Sequence, residues 1–141
     1  MALKLTLKPG EKFVINGAVV VNGDRRSNLI IQNKVSILRE KDVMVPDDAN
    51  TPVKRIYFAV MMMYLEPASQ KRWHEEFNKR VTEFMNAIKG EEALQNCIAI
   101  IEAVNAREYY GALVSCRKLL PFEKERLEYV SSELSDDATD D

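Results

Sequence analysis

The chain has 141 residues, 46% hydrophobic and 30% charged, with a formal net charge of −2. That suits one globular domain, or a small domain with an appendage, able to bury a proper core. No apolar run approaches the roughly 18 residues a membrane-spanning helix needs. Nor is a secretory leader expected, because Met1-Ala2-Leu3-Lys4 passes directly into an alternating pattern, so a cytoplasmic location is predicted.

Charge is unevenly spread. Residues 1–45 hold eight Lys/Arg against four Asp/Glu (+4), and residues 46–141 hold twelve against eighteen (−6). Leu3-Lys4-Leu5-Thr6-Leu7-Lys8 alternates apolar and polar residues, the signature of a half-buried strand. Further strands are predicted at 12–15, 18–21, 27–32 and 34–39, with Asn16-Gly17 and Asn22-Gly23 as tight turns. Their spacing argues an antiparallel meander or small barrel. Strands this short need a covering surface, either a second subunit in a homodimer or the helices that follow.

Thr51 is a plausible N-cap, with Pro52 at the first helical position. The segment from Ile56 to Tyr64 is apolar most of the way round, which predicts a buried helix. After Glu66-Pro67, Trp73, Phe77, Val81, Phe84 and Ile88 share one helical face, which Lys89-Gly90 is expected to close. A third helix carries Leu94, Cys97, Ile98, Ile101 and Val104, and two shorter ones are predicted at 109–119 and 122–130, divided by Pro121. The expected fold class is α+β: an N-terminal five-stranded β domain (1–45), a helical region (52–130) and a disordered acidic tail (131–141).

The patterns do not encourage a catalytic or metal-binding assignment. His74 is the single histidine. His74-Glu75-Glu76 begins like a zinc-protease helix, but Asn78 stands where the second ligand belongs. Cys97 and Cys116 are too widely spaced for a metal-binding pair and read as inert buried thiols. The five glycines form no phosphate loop or dinucleotide fingerprint. No enzyme, cofactor or metal is expected.

Lys4, Lys8, Lys12, Arg25, Arg26, Arg39 and Lys41 make the β region cationic. Lysines on strands commonly protect exposed edges from aggregation. The functional alternative is phosphate recognition, which needs cations on a rigid surface. Phe13 is the region's only aromatic, so base stacking on the sheet is not supported. On the first helix, Tyr57, Met61 and Met62 read as core, with a partner-facing edge as the second reading.

The stretch Leu5-Thr6-Leu7-Lys8-Pro9-Gly10-Glu11-Lys12 resembles the FlbT family of flagellum biosynthesis regulators. Ile15-Asn16-Gly17-Ala18-Val19, Asn22-Gly23-Asp24-Arg25-Arg26, Leu38-Arg39-Glu40-Lys41-Asp42 and Arg55-Ile56-Tyr57-Phe58-Ala59-Val60 carry the same likeness. It implies a post-transcriptional regulator that binds the 5′ untranslated region of flagellin mRNA and controls its translation or stability. The flagellar protein FlaF is an implied partner. A narrower likeness, in Leu5-Thr6, Lys8, Gly10-Glu11 and Leu38-Arg39-Glu40, is similar to the CsrA-type RNA-binding regulators, which are dimeric. It implies an RNA site joining the first strand to the basic end of the last, at Lys4, Thr6, Lys8 and Arg39; Leu7 stands where that family commonly has a base. Together these readings predict RNA contact by Lys4, Thr6, Lys8, Arg25, Arg26 and Arg39. The rival is an adaptor that meets FlaF or flagellin through Tyr57, Met61 and Met62.

Overall fold

The computed structural model describes the backbone of residues 3–139 and side chains as far as residue 125. The acidic tail expected to be disordered, 131–141, lies outside the residues whose side chains are described. The architecture is α+β, five strands followed by four helices: β1 (Leu3–Leu7), β2 (Lys12–Ile15), β3 (Ala18–Val21), β4 (Ser27–Ile31), β5 (Ile37–Arg39), α1 (Pro52–Leu65), α2 (Gln70–Ala87), α3 (Glu91–Asn105) and α4 (Tyr109–Thr139).

The strands do not form the expected meander or barrel. They make two small antiparallel sheets, a ribbon of β1 and β4 and a three-stranded sheet ordered β3-β2-β5. Local chemistry explains the division. Asn16 and Gly17 adopt positive φ (49° and 86°), which closes β2 and β3 as a two-residue hairpin. Pro9-Gly10 turns the chain differently: Gly10 has φ 71°, and the Glu11 N–H reaches the Lys8 carbonyl at 3.1 Å, as in a type II turn. Asn22-Gly23 is not a hairpin turn at all. The Asn22 amide donates to the carbonyls of Lys8 (2.7 Å) and Arg25 (2.9 Å), carrying the chain across so that β4 pairs with β1.

α1 is the central helix, packed against both α2 and α4, and α3 packs on α4. Eight of its residues are buried, including Val53, Ile56, Val60 and Met63. Its N-terminus is capped twice. Thr51 Oγ1 accepts from the Lys54 N–H at 3.3 Å, while Glu123, reaching over from α4, accepts from the Val53 N–H at 2.7 Å and from the Thr51 hydroxyl. Leu38 of β5 is 2% exposed and joins the helical core. Beside it, Tyr64 of α1 accepts from the Ile37 N–H (2.9 Å) and donates to the Ile37 carbonyl (3.1 Å), pinning the three-stranded sheet to the helix.

Phe77, Val81 and Phe84 bury the predicted face of α2. That helix ends at Ala87, and Gly90, with φ −94°, caps the start of α3 instead. On α3 the buried face is Ala93, Cys97, Ile100 and Val104, leaving Leu94 and Ile98 exposed. The two predicted C-terminal helices are one, α4, with Pro121 inside it. Buried Leu119 and Glu123 anchor the helix on either side of the proline, offsetting the hydrogen bond the ring removes. Among the described residues no helix is long and apolar enough to cross a membrane.

Candidate nucleic-acid interface

Alternation along β1 sorts its side chains. Leu7 is 4% exposed on the inner face, whereas Lys4 and Thr6 stand exposed on the outer one. Register with β4 sets Lys4 opposite Ile30 and Thr6 opposite Asn28, where the Thr6 hydroxyl donates to Asn28 Oδ1 at 3.2 Å. Lys8 follows directly after β1. The Asn22 amide draws its carbonyl and that of Arg25 to a single point, so Lys8, Arg25 and Arg26 cluster at one end of the ribbon. Lys4, Lys8, Arg25 and Arg26 are exposed, and none is in an ion pair among the described residues.

Arg39 differs from the other predicted cations. Its Nη1 lies 3.2 Å from Glu11 Oε2 and its Nη2 donates to the Thr6 carbonyl at 3.3 Å. The other oxygen of Glu11 accepts from the Lys8 N–H at 2.9 Å. The end of β5 and the first strand therefore do meet, but Arg39 serves as the strut between the two sheets, its charge already partnered. Sequence reasoning missed Glu11 and Asn22. Glu11 follows a Pro-Gly turn and Asn22 sits in an Asn-Gly pair, so both stood beside readable signals, but their partners lie far away in the chain.

The residues predicted to face a protein partner belong mostly to the core. Tyr57 and Met61 are each 3% exposed, and Tyr57 donates its hydroxyl to the Asp42 carbonyl. The coverage of α1 by α2 and α4 is the reason; only Met62 keeps partial exposure. Burial raises the Tyr57 and Tyr64 phenols above their ordinary range. It also raises Cys97 to about 11 and pushes Cys116 up further. His74 stacks on Phe77, with ring centroids 6.3 Å apart.

The class these features define is a small α+β protein that carries a solvent-facing cationic ribbon on a helical scaffold. A family model described as "Flagellar protein FlbT" matches residues 3–127, and the chain belongs to that family. It is 58% identical over 135 residues to the flagellum biosynthesis repressor protein FlbT of Caulobacter vibrioides, covering 96% of each chain. Against the probable flagellum biosynthesis repressor protein FlbT of Caulobacter sp. strain K31, identity is 59% over 131 residues, covering 93% of this chain and 100% of that protein. A probable FlbT repressor of Bradyrhizobium diazoefficiens is 38% identical over 129 residues, with 88% and 84% covered. No solved structure matches.

Proposed function

We propose that this chain represses flagellum biosynthesis, as the names of its relatives state for them, by binding the 5′ untranslated region of flagellin mRNA in the cytoplasm. The observation that carries this reading is the ribbon itself, with Lys4, Lys8, Arg25 and Arg26 exposed, and in no ion pair among the described residues, along one outer face and its end. Fixed cations of this kind neutralise phosphates, while Thr6 and Asn28 offer hydrogen-bonding groups between them. Occupying the leader would hinder ribosome entry or alter the message's lifetime.

Gel-shift titration of a labelled flagellin leader against the full chain tests it. The variant Lys8→Ala/Arg25→Ala/Arg26→Ala should lose most affinity while keeping its fold. Equal binding by variant and parent would reject the ribbon as the RNA site.

A second reading, an adaptor for FlaF or flagellin, draws support from exposed Leu94 and Ile98, one turn apart on α3, with Val114 exposed on neighbouring α4. It predicts that Ile98→Glu abolishes partner pull-down, and that the purified chain ignores RNA. A parent chain that binds the leader in its own right would remove this alternative.

A further inference from the structure

Beside the ribbon, where β1 and β5 approach α1 and α4, lies a half-open cleft of about 410 Å³. That falls within the roughly 300–1,000 Å³ range of small-ligand sites. Leu5, on the face of β1 opposite Lys4 and Thr6, contributes to an apolar floor. Two tyrosines supply ring surface, with centroids 6.0 Å apart and planes inclined at 48°. Tyr64 is immobilised by its two hydrogen bonds to Ile37, whereas Tyr110 is 49% exposed.

The rim is cationic. Arg39, Lys41, Asp42 and Arg117 line the cleft; Glu11 partners Arg39 and Asp42 partners Arg117, which leaves Lys41 without an ion pair among the described residues. The Arg117 guanidinium lies 5.8 Å from the Tyr110 ring centroid. Its Nη2 is buried 3.3 Å from Asp42 Oδ2 in an ion pair, and its Nε is buried as well. Arg39 touches both places: it lines the cleft and donates to the Thr6 carbonyl of the ribbon. A flat ring surface with an exposed cation, Lys41, at its rim, behind the strand that carries Lys4, fits a nucleobase with its phosphate better than an uncharged apolar ligand.

We infer that this cleft takes one unpaired base of the RNA held by the ribbon, with Tyr110 as its stacking face and Lys41 as the donor to its edge or adjoining phosphate. The inference rests on the RNA reading above. Lys4 and Lys8 hold the backbone on the outer face of β1, and the base turns past that strand to reach Tyr110. Among the described residues β4 is the only strand hydrogen-bonded to β1.

Fluorescence anisotropy with the full chain tests it, using the flagellin leader as a single strand and annealed to its complement. Tyr110→Ala should weaken single-strand binding roughly tenfold or more, and Tyr110→Phe should stay within about twofold of the parent. Salt dependence and duplex binding should not change in either variant. Single-strand binding by Tyr110→Ala equal to the parent's, or an equal loss on both RNA forms, overturns the inference. A parent that binds with the expected salt dependence alongside an unaffected Tyr110→Ala leaves the ribbon standing and removes only the cleft. A parent that ignores RNA removes both. If Tyr110→Ala melts early, crosslinking of a 5-iodouridine-substituted leader to the parent decides the matter. An adduct on the peptide holding Tyr110 supports the cleft, and adducts confined to the ribbon overturn it.

Discussion

Asn22 and Glu11 set the geometry of the ribbon without contributing a cation to it. Asn22 ties Lys8 to Arg25, and Glu11 ties the Lys8 N–H to the Arg39 guanidinium. Replacing Asn22 with Ala should lower unfolding free energy by about 1–2 kcal/mol and weaken leader binding as well, because Lys8 and Arg25 lose their common anchor. Arg39→Ala should reduce stability together with affinity, whereas Lys8→Ala should reduce affinity alone; urea titration and gel shift on the same samples separate the two. The cysteines make a further residue-scale case. Both are fully buried thiols whose pKa burial raises, Cys97 to about 11. A thiol-specific disulfide reagent at pH 8 should leave both untouched in the native chain and label both in denaturant.

Among the elements, α1 is the organiser, and its N-terminus depends on a residue from the far end of the fold. Glu123 is 6% exposed and accepts hydrogen bonds from the Val53 N–H and the Thr51 hydroxyl. A carboxylate there also complements the helix dipole. Glu123→Ala should cost about 1.5–3 kcal/mol in urea unfolding, since the loss strips charge-assisted bonds from a buried helix start. Thr51→Ala should cost about 1 kcal/mol. Should Glu123→Ala match the parent's midpoint, the coupling of α4 to α1 through this contact would be refuted. Tyr64 makes the equivalent link to the sheet, so β5 and α1 form a single packed unit.

At the scale of the whole molecule, charge sets how the ribbon should respond to salt, and burial sets how the fold should respond to pH. The four exposed ribbon cations, Lys4, Lys8, Arg25 and Arg26, predict a slope of log affinity against log salt of about −3 for single-stranded RNA, and each cation removed should flatten it by about 0.7. A slope near zero would be incompatible with phosphate binding by this face. For pH, Tyr57, Tyr64, Cys97 and Cys116 all hold their protons more tightly folded than unfolded. Groups with raised folded pKa values contribute stability that is complete below their unfolded values and lost as pH rises towards the folded ones. The urea midpoint should therefore hold steady near neutrality and fall from about pH 8.5, the ordinary thiol value, through pH 11. A Cys97→Ala/Cys116→Ala variant should show a shallower alkaline decline.

By itself the sequence determined the elements set by a few consecutive residues. These are the period of β1, the positive-φ pair at Asn16-Gly17, the Thr51-Pro52 start of α1 and the burial of that helix, along with the family likeness. Each follows from local dihedral preference or from local hydrophobic period. Tertiary structure alone decided which strands pair, that Arg39 is engaged by Glu11, and that Tyr64, Tyr110 and Arg117 share a cleft. Those outcomes join residues far apart in the chain. Their contacts exist only once the helices have packed, so no local pattern of residue types could announce them.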